Sequence, residues 1–397
     1  METIENLTIH LEKANTLDKL LSEEQRKKVV NLKITGHIGK QDFEKVLDEM
    51  CDVDLIYKNY DDEDEEGIPD YKHAYPLRNL DMGEAVFTDG DILPDFGFYI
   101  QLESIILPQG IKSIVEEDDF DSALSNSQRL RTVVFPKGIK SAGGLRGCTK
   151  LKNVVLPDTV EEIAQDAFSY CTALSELRIP ASVKHLYATA FTYSGIKEFE
   201  IDEDNPYFTV VDGVIFSKDM TKLVAFPPNS DKKEYTIPST TKTIREGAFM
   251  DSKLRYINIP DSVTRIEGWA FECSKLRSLD MPDSVTEIGI LLFRWCNNLE
   301  HLKLSNSLTD IPTQTFSSCD KLKKIIIPPS VKRMDVTNII WSTHLETIVL
   351  NEGLEEIYSE GHGDYNKHAK YYSKKLRILN WPKSLHKYPN QLLHLRK

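Results

Sequence analysis

The sequence predicts an α/β repeat, a right-handed solenoid with parallel strands on its concave face and an N-terminal α/β cap. Three observations carry that. First, residues 253–316 write one unit three times: KLRYINIPDSVTRIEGWAFECS, KLRSLDMPDSVTEIGILLFRWCN and NLEHLKLSNSLTDIPTQTF. A repeat of this length is the mark of a solenoid. Second, the leading leucines Leu254, Leu276, Leu299, Leu322 and Leu345 follow one another at spacings of 22, 23, 23 and 23. Third, each leucine opens an alternation, with Leu254, Ile257 and Ile259 on one side and Tyr256 and Asn258 on the other. A period of two is that of a half-buried strand.

Each further position in the unit has a physical task. Pro260, Pro282, Ser305 and Pro328 stand six residues after the leucine. Proline has no N–H for a ladder, so it ends the strand and opens a turn. A second apolar pair follows, Val263 with Ile266 and Val285 with Ile288, and then an aromatic, Phe271, Phe293 or Phe316. One unit cannot bury its apolar edge alone, whereas stacked copies about 4.8 Å apart can. Burying each Phe contributes roughly 1.5–3 kcal/mol.

The pattern L-x-x-[IVL]-x-[ILM]-P-x-[ST]-[VT]-x-x-I-x-x-x-[AL]-F-x-x-C resembles the bacterial leucine-rich repeat of BspA-like proteins. The resemblance spans nearly the whole chain. It implies a leucine-rich repeat solenoid and attachment at the cell surface, including to host extracellular matrix proteins.

Taken in order, residues 1–76 read as an N-terminal cap with an acidic loop. Leu7, Ile9 and Leu11 alternate, Thr16 is placed to cap a short helix over 17–21, and Val30, Leu32 and Ile34 alternate again until Gly36 breaks the run. Phe43, Val46, Leu47 and Met50 have helical spacing within 41–50. This strand, Thr-Gly turn and helix are similar to the family's cap. The run DDEDEE at 61–66 reads as a solvated loop; it lacks the spacing and glycine of a calcium loop. Leu77 to Met82 is the next expected strand.

The solenoid is expected over 77–382, with insertions at 116–127, 202–236 and 353–372, in about eleven to thirteen rungs, and a C-terminal cap over 383–397. Leu102, Leu130, Leu151 and Leu174 lead the early rungs, with Pro108, Pro136, Pro157 and Pro180; Phe168 and Phe191 take the aromatic position. Within the second insertion, Asp212-Gly213 between apolar runs is a hairpin signal. The family carries a similar excursion, matched here by Asn205-Pro206 and Asp212-Gly213-Val214-Ile215-Phe216. Ile339 and Asn351 then replace the phenylalanine and the proline.

Five of the six cysteines, Cys148, Cys171, Cys273, Cys296 and Cys319, lie three residues before a repeat leucine. They read as a column of small buried hydrophobes; disulfides between adjacent rungs are the alternative, but three successive rungs cannot pair completely. No metal-ligand spacing, nucleophile elbow or phosphate loop occurs, so no enzyme, cofactor or metal is expected. His362 and His368 sit in a polar insertion. Trp269, Trp295 and Trp341 read as convex-side packing or surface residues.

The outward strand positions form a column of pairs: Glu176 and Arg178, Glu198 and Glu200, Tyr256 and Asn258, Ser278 and Asp280, His301 and Lys303, then Lys324 and Ile326. Such varied side chains on a rigid sheet suit either a soluble face or a protein-binding one. The first ten are the candidate partner-binding residues.

The net charge of −13 argues against general nucleic-acid binding. No apolar run approaches a membrane span. Residues 42–70 carry 13 acids and 2 bases, whereas 122–157 carry 7 bases and 366–397 carry 9, both without an acid. That segregation permits weak, salt-sensitive self-association or docking on an anionic partner. The expected function is non-enzymatic protein binding, as an adhesion or host-interaction protein; an intracellular scaffold and a glycan-binding module are the alternatives. No export leader is visible in residues 1–28. The expected location is the cell surface or outside if a leader was removed, and the cytoplasm if the chain is complete.

Overall fold

A computed structural model of the chain describes residues 3–51, 75–94, 101–114, 124–341, 344–359, 375–389 and 392. The acidic run 61–66, His362 and His368 lie outside the described residues, as do parts of the expected insertions and of 383–397. The chain forms two compact units. One comprises residues 1–186, 190–196 and 200–205; the other 187–189, 197–199 and 206–397. Both are parallel-strand solenoids, with about 14 turns in all. The count exceeds the sequence expectation because the N-terminal strands are themselves rungs.

In the first unit, β1 (Ile4–Leu11), β2 (Val29–Ile38) and β3 (Asn79–Phe87) are parallel neighbours, continued by the strands Ser104–Ile106, Thr132–Val134 and Asn153–Val155. Register stacks Leu32, Leu80, Ile105, Val133 and Val154 in one column. Gly36 does not end its strand, contrary to expectation. It has φ +87°, and a Cβ there would collide with the Leu11 carbonyl oxygen, so glycine lets β1 and β2 pair up to Leu11 and Gly36 while β2 stays paired with β3 through Ile38. The strand expected at 77–82 begins at Asn79 and runs on to Phe87.

Helical residues run from Lys40 to Cys51, with Phe43, Val46, Leu47 and Met50 buried as their spacing predicts. Thr16 does not cap the helix at Leu17–Leu20; its hydroxyl donates to the Lys13 carbonyl. The buried Asp42 carboxylate caps instead, accepting from the backbone N–H of Leu17 (2.8 Å), Asn15 (2.7 Å) and Gly39 (2.9 Å). A charge-assisted bond is the stronger option for orphan helix donors.

Each regular rung has three sides. The leucine-led strand makes the first, as in Glu234–Thr236, Tyr256–Asn258, Ser278–Asp280 and His301–Lys303, all parallel. The proline carbonyl then accepts the N–H three residues on, from Val263 to Pro260 (3.0 Å) and from Val285 to Pro282 (3.1 Å). The second apolar pair makes a ladder of its own: Thr243–Ile244, Arg265–Ile266 and Glu287–Ile288.

The third side carries the aromatics. Phe249 stacks on Phe271, and Phe271 on Phe293, each with ring centroids 5.3 Å apart, and all three are fully buried. Trp269, Phe271 and Cys273 donate their backbone N–H to Ile290, Leu292 and Arg294 of the next rung. Asp212-Gly213 turns the hairpin Phe208–Val211 to Val214–Ser217. A third strand, Lys222–Ala225, returns it to the second ladder, and Phe226 joins the aromatic stack 5.3 Å from Phe249.

Four of the five repeat cysteines occupy one position, three residues after the aromatic site. Their thiols donate to the carbonyl of the aromatic-site residue one rung earlier: Cys148 to Leu124, Cys171 to Leu145 and Cys296 to Phe271 at 3.0 Å, Cys319 to Phe293 at 3.1 Å. Cys273 is not in that column. Its rung is one residue shorter between Phe271 and Leu276, so Ser274 takes the place and Cys273 falls in the preceding turn, half-buried. None of the six cysteines is in a disulfide.

Candidate functional site on the strand face

Alternation along the leucine-led strands turns the second and fourth residues after each leucine outward. Nine of the ten candidates are exposed, and Ser278 is half-buried. In the second unit Tyr256, Ser278 and His301 are in register, as are Asp280 and Lys303. Asn258 pairs back to Thr236. The His301 ring nitrogen Nε2 lies 2.8 Å from Asp280 Oδ1, a diagonal contact between neighbouring rungs. Tyr256 is 43% exposed, so part of its side chain is open to a partner. Glu198 is also exposed in this unit.

Glu176, Arg178 and Glu200 belong to the first unit. Arg178 and Glu200 are in register. The Arg178 guanidinium is engaged by Asp202, with Nε donating at 2.8 Å. Glu176 has no register partner in the short strand Arg178–Ile179.

Three features of these faces went unread in the sequence. A ladder of small polar residues runs through Asn6, Asn31, Asn79, Ser104, Thr132 and Asn153. Its amides bond across rungs, Asn31 to Asn6 at 2.9 Å and Asn79 to Asn31 at 2.6 Å. Beside it, Ile106, Val134 and Val155 form an apolar column. In the second unit Ile326, Val349 and Leu379 form another. All were legible as outward positions, but only register joins them.

Outside the strand face, Tyr170 and Tyr193 stack at 4.7 Å, with the Arg146 guanidinium 5.8 Å from the Tyr170 ring. Arg294 lies 4.2 Å over the exposed Trp295 and donates to Glu272 at 2.9 Å. Burial raises the Glu272 carboxyl, and the Arg294 bonds act against that. Among the described residues, no cluster of His, Cys, Asp or Glu is placed to hold a metal ion, and no helix is long and apolar enough to cross a membrane.

The stacked parallel rungs share the fold of a solved bacterial leucine-rich repeat protein. A leucine-rich repeat protein from Eubacterium ventriosum superposes with a TM-score of 0.58 at 20% identity, over 72% of this chain and 81% of that one. A leucine-rich cell surface protein from Faecalibacterium prausnitzii gives a TM-score of 0.49 at 19% identity, over 99% and 90%. The pneumococcal vaccine antigen PcpA gives 0.43 at 19%, over 80% and 85%. No curated protein matches the chain. The family model described as the BspA type leucine-rich repeat region matches residues 93–217 and 222–346, in six copies. With well over half of its length matched, the chain belongs to the BspA-type leucine-rich repeat family.

Proposed function

We propose that the chain is a non-enzymatic binding protein that holds a protein partner on the strand face of its second unit, and that it serves in adhesion or host interaction at a bacterial surface. The family points to protein interaction, and its repeats are generally binding scaffolds. The observation that carries the proposal is the registered, exposed set Tyr256, Asp280, His301 and Lys303. Ladder pairing fixes these residues, so little conformational entropy is lost on binding. Tyr256 offers an aromatic anchor and the ionisable residues around it offer selectivity. The direction toward a host matrix protein rests on the family resemblance alone.

The experiment is retention of purified extracellular matrix proteins, and in parallel of source-cell lysate, on the immobilised chain. A matrix protein retained by the native chain and lost with Tyr256→Ala, Asp280→Ala and His301→Ala together is the expected outcome. Retention of an intracellular partner alone would make the chain a scaffold instead. A second reading, glycan binding, is favoured by the stacked Tyr170 and Tyr193 beside Arg146. Capture of an oligosaccharide, lost with Tyr170→Ala, would support it over the first.

A further inference from the structure

Ile326, Val349 and Leu379 stand in register on three successive strands, Lys324–Ile326, Thr347–Val349 and Arg377–Leu379. Ile326 is 50% exposed, Leu379 is 37% exposed and Val349 is half-buried. An apolar column on the outside of a sheet is otherwise a liability, because these positions are free to be polar. Its neighbours are cationic. Lys324 and Arg377 flank it on the same strands, and Lys303 stands on the strand before. Lys303 stands in register with Asp280, whose carboxylate lies against His301; among the described residues, Lys324 and Arg377 form no ion pair within 4.0 Å.

The spacing says what fits. Rungs are about 4.8 Å apart, so the three apolar side chains span about 9.6 Å. An α-helix laid along the column repeats its apolar stripe about every 5.4 Å, and its residues i and i+7 are about 10.5 Å apart. An extended peptide presents same-side residues about 6.7 Å apart and covers about 13 Å in the same three contacts. The helix follows the column within about 1 Å and the extended peptide overshoots by more than 3 Å. Lysine and arginine at the edge select acidic residues beside the stripe.

From this we infer that the strand face at Ile326, Val349 and Leu379 docks an acidic amphipathic helix of a partner protein. The inference rests on the reading that the strand face binds protein, and names the partner's chemistry for a second patch on that face. The helix sets apolar residues at i, i+4 and i+7 on the three side chains and carboxylates toward Lys303, Lys324 and Arg377.

The test is selection of a displayed library of helical peptides, randomised in sequence, against the full chain. The expected clones carry apolar residues at that spacing flanked by Asp or Glu. Their affinity should fall at least about tenfold with Ile326→Ser and Leu379→Ser together, and likewise with Lys324→Glu and Arg377→Glu together. Circular dichroism checks that each exposed-site variant keeps its fold. Clones that are basic, lack the spacing or bind both variants unchanged overturn the inference, as does a selection that enriches nothing. Adsorption to phosphatidylserine vesicles that is lost with these variants, without any acidic clone, would make the patch a lipid site instead and also overturn it. If no such clone emerges but the Tyr256, Asp280 and His301 variant still loses its partner, this inference alone fails. If stripe-dependent clones emerge and that variant keeps every partner, this inference stands and the face around Tyr256 is what fails.

Discussion

Cys148, Cys171, Cys296 and Cys319 each spend their thiol proton on a carbonyl of the preceding rung. For Cys171, Cys296 and Cys319 the bond gives the carbonyl a second donor, beside the backbone N–H of Cys148, Ser274 and Cys296. Burial pushes the Cys148 and Cys296 thiols up to about 12, and those of Cys171 and Cys319 well above the ordinary value of 9.0. A thiol that stays protonated is a poor nucleophile. Iodoacetamide at neutral pH should therefore label Cys273 first, and the four column thiols only on unfolding, as read by mass spectrometry of timed digests. The same shift links stability to pH. Below pH 9 the thiols are protonated in both states, and the fold loses nothing. From about 9 to 12 the unfolded chain releases protons that the folded chain retains, so stability falls as pH rises. Cys296→Ala should flatten the alkaline decline of the thermal midpoint; an unchanged slope would show that the thiol does not contribute.

The element that repeats is a rung, and its least expected part is the turn around the phenylalanine. Residues two before and two after it have positive φ in five rungs: Asp166 and Tyr170, Gly247 and Asp251, Trp269 and Cys273, Leu291 and Trp295, Gln314 and Ser318. Nine of these ten are not glycine, although the left-handed region costs an L-residue roughly 1–2 kcal/mol. The inter-rung bonds and the stacked rings on the third side offset that. Phe271→Ala should accordingly destabilise by about 3–5 kcal/mol as a core truncation, whereas Asn258→Ala should cost under about 0.5 kcal/mol. All four tryptophans lie at 269–381, within the second unit, so urea melts followed by their emission report on it directly. Equal, small shifts for the two variants would contradict the register. Strands were legible because a period of two is a statement about faces. The Cys273 displacement is missed by counting back from the leucine and shows only when the count starts at Phe271, five residues before Leu276 where Phe293 stands six before Leu299.

At the scale of the whole molecule the net charge is −13, yet acids concentrate in 42–70 and bases in 122–157 and 366–397. Exposed charges act over a Debye length of about 10 Å at 0.1 M salt. If these regions meet between copies, sedimentation velocity at low ionic strength should show a concentration-dependent rise in apparent mass that disappears in high salt. A single monomer at both would rule out self-association through these regions. The outward residues of the candidate site follow from alternation within each strand, so their exposure was readable position by position. Their neighbours were not: the contact of His301 with Asp280 and that of Arg178 with Asp202 cross rungs and depend on register.

The sequence alone determined the repeat, the strand faces and the aromatic column, because burial recurs with a period that one chain displays. Only the tertiary structure decided which residues take left-handed turns, that Asp42 rather than Thr16 caps the first helix, and which outward side chains line up as apolar or charged columns. Those depend on hydrogen bonds and contacts between segments some 20 or more residues apart, and a linear pattern carries no record of them.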